Sequence, residues 1–170
     1  MSHDFEQLTI SFTEKSLQFL QPAGTSRGVY LERKVWYVEA YANYNGLLVY
    51  GIGECAPLPQ LSCDDVPNYV EILAEACRLW QTTQVLPREF LKIFPSILMG
   101  FETAQLSLSR CAETGNPFLL SSTPFALGNE GIPINGLVWM GNAEEMLERM
   151  KAKLAAGFRC VKIKIGAIDF

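Results

Sequence analysis

The chain has 170 residues, 49% of them hydrophobic, with 14 basic against 18 acidic side chains and a formal charge of −4. That is enough apolar material for a buried core, which excludes disorder, and the interleaved charges form no basic stripe of the kind a phosphate backbone requires, which excludes nucleic acid as a partner. No stretch supplies the ~20 continuous apolar residues of a membrane helix, so a soluble protein is expected, with no membrane partner.

The first nine residues carry acids and no apolar signal core, so no processing is expected. Leu8, Ile10 and Phe12 alternate with Thr9 and Ser11, and a second apolar run covers residues 17–20; both predict strands. Pro22, Gly24 and Gly28 break the pattern, so residues 21–28 are expected to form an exposed loop. Residues 35–43 are aromatic and β-branched, Asn45-Gly46 is a type I′ turn signal, and residues 47–55 return as the second arm of a hairpin. Ala56-Pro57-Leu58-Pro59 ends the sheet. Ser62 or Asp64 is then placed to cap a helix whose apolar positions Val66, Tyr69, Val70, Leu73, Ala76, Cys77 and Trp80 share one face. A second helix follows Pro95, runs to about residue 113 and stops at Gly115. An antiparallel sheet followed by helices predicts an α+β domain.

The organisation changes near Glu130. The apolar run of residues 134–139 predicts a strand, and Asn142, with Glu145 three residues later, predicts a helix start. That helix is expected to turn Met146, Leu147, Met150 and Leu154 inward and to end at Gly157, with Val161, Ile163 and Ile165 following as a second strand. Strand, helix and strand with short connections make a βαβ unit with parallel strands. A complete parallel barrel takes about 250 residues, so the division expected is an N-terminal domain over residues 1–130 and an incomplete barrel segment over residues 131–170. The alternative is that the second region pairs with another chain.

Five cysteines, Cys55, Cys63, Cys77, Cys111 and Cys160, include no CxxC pair, which suits a reducing cytoplasm. His3 is the sole histidine and lies at the terminus, which leaves little for histidine-based triads or metal sites. Lys162-Ile163-Lys164 stands out. On a strand the two ammonium groups share a face about 6.6 Å apart. At an effective dielectric of 20 they repel by roughly 2.5 kcal/mol, which favours losing one proton and makes one lysine usable as a base. An ordinary surface lysine pair is the alternative, but Ile163 and Ile165 are expected to face the helix layer and so turn the lysines to the opposite side.

Three strings occur in a telling order: Gly51-Ile52-Gly53-Glu54-Cys55-Ala56-Pro57-Leu58-Pro59, then Pro95-Ser96 with Gly100-Phe101-Glu102-Thr103-Ala104, then Lys162-Ile163-Lys164. In this the chain resembles the enolase superfamily, muconate-lactonising subgroup (the mandelate racemase and muconate-lactonizing enzymes). Thr25-Ser26-Arg27-Gly28, Asn135-Gly136-Leu137-Val138-Trp139-Met140 and Ala155-Ala156-Gly157-Phe158-Arg159 extend the likeness to its o-succinylbenzoate synthase family.

The resemblance implies an α+β capping domain followed by the start of an α/β, TIM-type barrel. It implies a lyase of menaquinone biosynthesis, a dehydratase that converts 2-succinyl-6-hydroxy-2,4-cyclohexadiene-1-carboxylate to o-succinylbenzoate. A lysine takes the proton next to the substrate carboxylate, and a divalent metal, Mg2+ or Mn2+, stabilises the enediolate. Carried over, Lys164 is the general base and Lys162 its electrostatic partner, which also helps hold the carboxylate. The loops at Thr25, Ser26 and Arg27 and at Pro57 and Leu58 match the two capping loops that close on the substrate. Arg27 either faces the anion or is an arginine of a surface loop, and Pro57 and Leu58 either touch substrate or pack at the domain interface.

Leu137, Trp139 and Asn135 are expected to line the barrel interior, Cys160 to pack in the core, and Glu54 and Glu102 to be structural. The metal ligands of the superfamily fall on barrel strands later than those present, so no metal ligand is expected in this chain, and Asp169 alone is no substitute. The chain by itself is expected to be inactive. Other members of the subgroup, a dipeptide epimerase or a muconate cycloisomerase, are alternatives, as is a non-catalytic truncated protein that self-associates through exposed barrel strands.

Overall fold

The computed structural model describes residues 4–25 and 28–164. Three antiparallel strands, β1 (Glu6–Thr25), β2 (Gly28–Tyr44) and β3 (Leu47–Cys55), form one sheet in the order β1-β2-β3. The β2–β3 turn is the one anticipated: Asn45 and Gly46 both take positive φ, 52° and 77°, as a type I′ turn requires.

The first hairpin differs from expectation. The two apolar runs belong to one strand, and residues 21–25 are not a loop but continue the pairing with β2 out to Thr25↔Gly28. Pro22 is tolerated because it sits in an irregularity. Gln18 pairs with Glu32 and Ala23 with Tyr30, so residues 19–22 stand opposite Leu31 alone, and the proline owes the ladder no N–H. Ser26 and Arg27, at the expected first capping loop, lie outside the described residues, and Thr25 ends β1.

Alternation decides which sheet face is covered. Trp36, Val38, Ala40 and Ala42 on β2, Val49 and Cys55 on β3, and Leu8 and Ile10 on β1 are buried against two helices, α1 (Tyr69–Thr83) and α3 (Pro95–Thr114). A single turn, α2 (Arg88–Leu91), inserts Leu91 beside them. Leu73, Ala76 and Trp80 of α1 and Ile97, Phe101, Ala104 and Leu108 of α3 complete this core, where the Trp80 and Phe101 rings lie 5.6 Å apart.

The glycine-rich strings are explained by how closely α3 approaches β3. A Cβ on Gly53 would run into the backbone of Gly100 and Ala104, one on Gly51 into Ala104 and Leu108, and one on Gly100 into the Cys55 sulfur. Side-chain-free positions on both elements are what let helix backbone rest on strand backbone.

Capping of α1 is the second difference. Neither Ser62 nor Asp64 caps it; the helix begins after Asn68, which makes no side-chain capping bond. Ser62 Oγ instead accepts from Leu58 N–H at 2.9 Å. Asp64, 1% exposed, reaches across to α3, where its Oδ2 accepts from the N–H and the hydroxyl of Ser96, both at 2.7 Å. It caps α3 from a distant part of the chain and leaves the first turn of α1 to backbone turns. Val70, expected inward, is 41% exposed. The stop of α3 is as anticipated, with Gly115 at φ 72°.

Regular structure resumes with β4 (Gly136–Val138), α4 (Ala143–Ala155) and β5 (Val161–Ile163), and the two strands pair in parallel. Asn142 caps α4, accepting from Glu145 N–H at 2.9 Å. Only Met146 of the four expected inward residues is fully buried; Leu147 and Leu154 are 46% and 56% exposed, since a two-stranded sheet covers less of α4 than a closed barrel. Strand β4 is shorter than the apolar run, and Ile132 and Ile134 are exposed. Cys160, expected in the core, is exposed as well.

Candidate active site

In a parallel pair, partners in register point to the same side. Gly136↔Val161, Leu137↔Lys162 and Val138↔Ile163 are partners, so Gly136, Val138, Val161 and Ile163 share one face, and Leu137 and Lys162 the other. The first face is the one α4 covers: Val138 is fully buried, and a Cβ on Gly136 would touch Lys153 and Phe158. The ladder runs one step further, with Lys164 N–H donating to Val138 C=O at 3.1 Å. Lys164 thus joins Trp139, Leu137 and Lys162 on the face away from α4. The lysine pair does share a side, the one away from α4.

Beyond sharing a face, the two lysines differ. Lys162 is exposed and Lys164 half-buried, with its Nζ 4.7 Å from the centre of the Trp139 ring. Trp139 is anchored through its backbone. Arg149 of α4 donates to the carbonyls of Trp139 and Met140, at 3.5 and 3.3 Å, and itself pairs with Glu145 at 3.7 Å. Asn135, just before β4, donates to the Gly136 carbonyl at 3.3 Å.

The second expected loop is held firmly. Tyr30 hydroxyl donates to the Pro59 carbonyl at 2.7 Å, Arg33 donates to the Ala56 carbonyl, and Gln60 N–H donates to Asp65 Oδ2 at 2.7 Å. Pro57 is buried and Leu58 half-buried. Tyr30 and Arg33, at the outer end of β2, therefore tie the first hairpin to the loop at residues 56–59. Neither residue carries a periodicity or motif signal, which is why sequence reasoning passed over them. Glu102 forms a surface ion pair with Arg88 at 2.8 Å, and Glu54 is exposed. A cavity of about 590 Å3 lies between the outer end of β1, at Phe19 and Pro22, and the β4–α4 region at Leu137, Trp139 and Arg149; neither Lys162 nor Lys164 lines it.

Among the described residues no group of three or more His, Cys, Asp or Glu side chains is placed to hold a metal ion. The described residues do not fit a magnesium site.

No protein-family model matches the chain. It is 31% identical to the o-succinylbenzoate synthase of Desulfotalea psychrophila over 196 residues, an alignment that covers 96% of this chain and 50% of that protein. The chain thus spans about half the length of the curated relative it matches. The crystal structure of MenC from Desulfotalea psychrophila superposes with a TM-score of 0.63 at 24% identity, over 94% of this chain and 49% of that one. A dipeptide epimerase from Cytophaga hutchinsonii, crystallised with magnesium and D-Ala-L-Val, superposes with a TM-score of 0.63 at 16% identity, over 94% and 44%. These likenesses bear out the fold, an antiparallel sheet with helices packed on it, and associate a divalent metal with a solved neighbour. The chain is a homologue of o-succinylbenzoate synthase over the half of that protein it spans, and it shares the fold of these solved structures.

Proposed function

We propose that this chain forms the capping domain, residues 1–130, and the first βαβ segment of the barrel, residues 131–170, of a dehydratase that converts 2-succinyl-6-hydroxy-2,4-cyclohexadiene-1-carboxylate to o-succinylbenzoate in the cytoplasm. Lys164 is the base that removes the proton next to the carboxylate, and Lys162 supplies positive charge beside it. The single observation that carries this reading is the β4–β5 register, which sets both lysines and Trp139 on the face opposite α4. The identity to a curated synthase over nearly the whole chain supports the choice of reaction.

The chemistry suits the residues. A proton α to a carboxylate is weakly acidic, and its removal leaves a second negative charge on the substrate. Cationic groups aimed at that charge lower the barrier by strengthening as it develops. Lys164 accepts the proton on Nζ and Lys162 faces the carboxylate, while the loop at residues 56–59 helps to exclude water. A divalent metal, were one bound beside the lysines, would offset that second negative charge; among the described residues none is placed to hold it. The exposed edges of the two-stranded sheet favour self-association.

The test is turnover of the cyclohexadiene carboxylate, with magnesium, by a protein that joins this chain to the rest of the barrel, against its Lys164→Ala variant. Dehydration that disappears in the variant supports the reading. Epimerisation of dipeptides without dehydration assigns the other activity found among the structural neighbours, and dehydration retained in the variant removes the base assignment.

A further inference from the structure

We infer that Trp139 is a positioning residue for Lys164, its indole face holding the ammonium group on the barrel side of the sheet. The inference rests on Lys164 being the base. Register brings the two together: Trp139 and Lys164 occupy the next step of the ladder after Val138↔Ile163, and the ammonium nitrogen stands 4.7 Å from the ring centre, within the range in which a ring face attracts a cation.

Two features make the ring a fixed support rather than a passing neighbour. Its Nε1 is buried and has no hydrogen-bond partner among the described residues, so none of these draws the indole away from the lysine by a hydrogen bond. Its backbone is also clamped to α4. Arg149 holds the carbonyls of Trp139 and Met140, and at Gly141 an added Cβ would press on Glu145 Oε2 and the Arg149 guanidinium. The strand therefore leaves the sheet tightly against the Glu145–Arg149 pair, and the residue before this turn has little room to swing.

The consequence separates the two lysines. A lysine side chain is long and its ammonium has no preferred direction. Lys162 is exposed, whereas Lys164 lies on a ring whose attraction acts on the charged form. Proton abstraction creates that form, so the contact strengthens as the base takes the proton, and interactions of this kind act on the chemical step rather than on binding.

The contact is readable in the 170-residue chain without turnover, by NMR of carbon-13-labelled lysine and by the rate of amine acylation at each lysine. The Lys164 ε-methylene protons are expected upfield of those of Lys162 through the ring current of Trp139. Trp139→Leu is expected to abolish that displacement and to raise acylation of Lys164 relative to Lys162 by about fivefold, the factor a typical cation–π contact represents. Trp139→Phe, which keeps a ring but not the N–H, is expected to retain most of both effects. Absence of the displacement in the unsubstituted chain would overturn the inference whatever the variants do, as would equal losses in the leucine and phenylalanine variants. Because neither readout depends on catalysis, full turnover in Lys164→Ala would remove the base assignment while leaving the ring contact standing.

Discussion

Gly53→Ala is the sharpest test of the packing that supports the site. The substitution adds one methyl group, but that methyl meets the carbonyl of Gly100 and the amide of Ala104. Both belong to helix backbone and cannot rotate aside. Overpacking a core costs about 1–3 kcal/mol when side chains can adjust. Here α3 itself must withdraw from β3, loosening Ile97, Phe101 and Ala104 together, so the expected loss is at the upper end, about 3 kcal/mol. Against a typical domain stability of ~5–15 kcal/mol that is a large fraction. In urea, with a slope of about 1–3 kcal/mol per molar, the midpoint falls by about 1–3 M. Tryptophan fluorescence reports it, since Trp36 and Trp80 both lie in this core. Gly131→Ala is the control, because a Cβ there meets nothing within 4 Å, and it is expected to stay within ~0.5 kcal/mol. A Gly53→Ala protein as stable as the control would refute the close-approach explanation of the glycine strings.

Asp64→Ala removes the acceptor of the Ser96 amide and hydroxyl. It is expected to destabilise by about 1–3 kcal/mol and to speed exchange of the Ser96 amide, whereas Asp64→Asn, which keeps an acceptor, costs less; equal effects would contradict the capping role. Thiol labelling at pH 8 is expected to modify Cys63 and Cys160, which are exposed, and to spare Cys55, Cys77 and Cys111 until the chain unfolds. Burial pushes the Cys77 thiol up to about 12 from an ordinary 9.0 and raises the Cys55 thiol too, burial acting first and the neighbouring Cys77, Asp64 and Glu54 adding to it. A folded-state pKa above the unfolded one leaves stability intact below pH 9 and erodes it as pH rises toward 12, because only the unfolded chain ionises there. Unfolding midpoints measured across that range check the sign, and a midpoint that holds or rises would contradict it.

What the sequence disclosed, and what it did not, follows from how local each signal was. The Asn45-Gly46 turn, the Asn142 cap and the Gly115 stop were legible because each is decided within three or four residues. The shared face of Lys162 and Lys164 was legible from strand parity. The long first hairpin was not, because Pro22 and Gly24 read as breakers unless one knows that β2 sets only Leu31 against residues 19–22 and that pairing resumes at Ala23↔Tyr30 and Gly24↔Val29. Asp64 misled for a similar reason: its type and place suit a nearby helix start, yet its partner is Ser96, which no local rule can find. Tyr30, Arg33 and Trp139 act through contacts with residues far along the chain or at a particular register, so their roles emerge only when the strands are laid side by side. The exposure of Leu147, Leu154 and Cys160 shows the reverse case, where a barrel-based expectation of burial exceeds what two strands and one helix can cover.

The most direct measurement is the rate of proton removal from the carbon next to the carboxylate, followed by hydrogen–deuterium exchange or by dehydration, in the magnesium-loaded protein carrying this chain and the remaining barrel strands. A base role for Lys164 predicts that Lys164→Ala lowers that rate by a factor of about a hundred or more, the contribution of a positioned base, while substrate binding changes little. Proton removal at an undiminished rate in Lys164→Ala would contradict it.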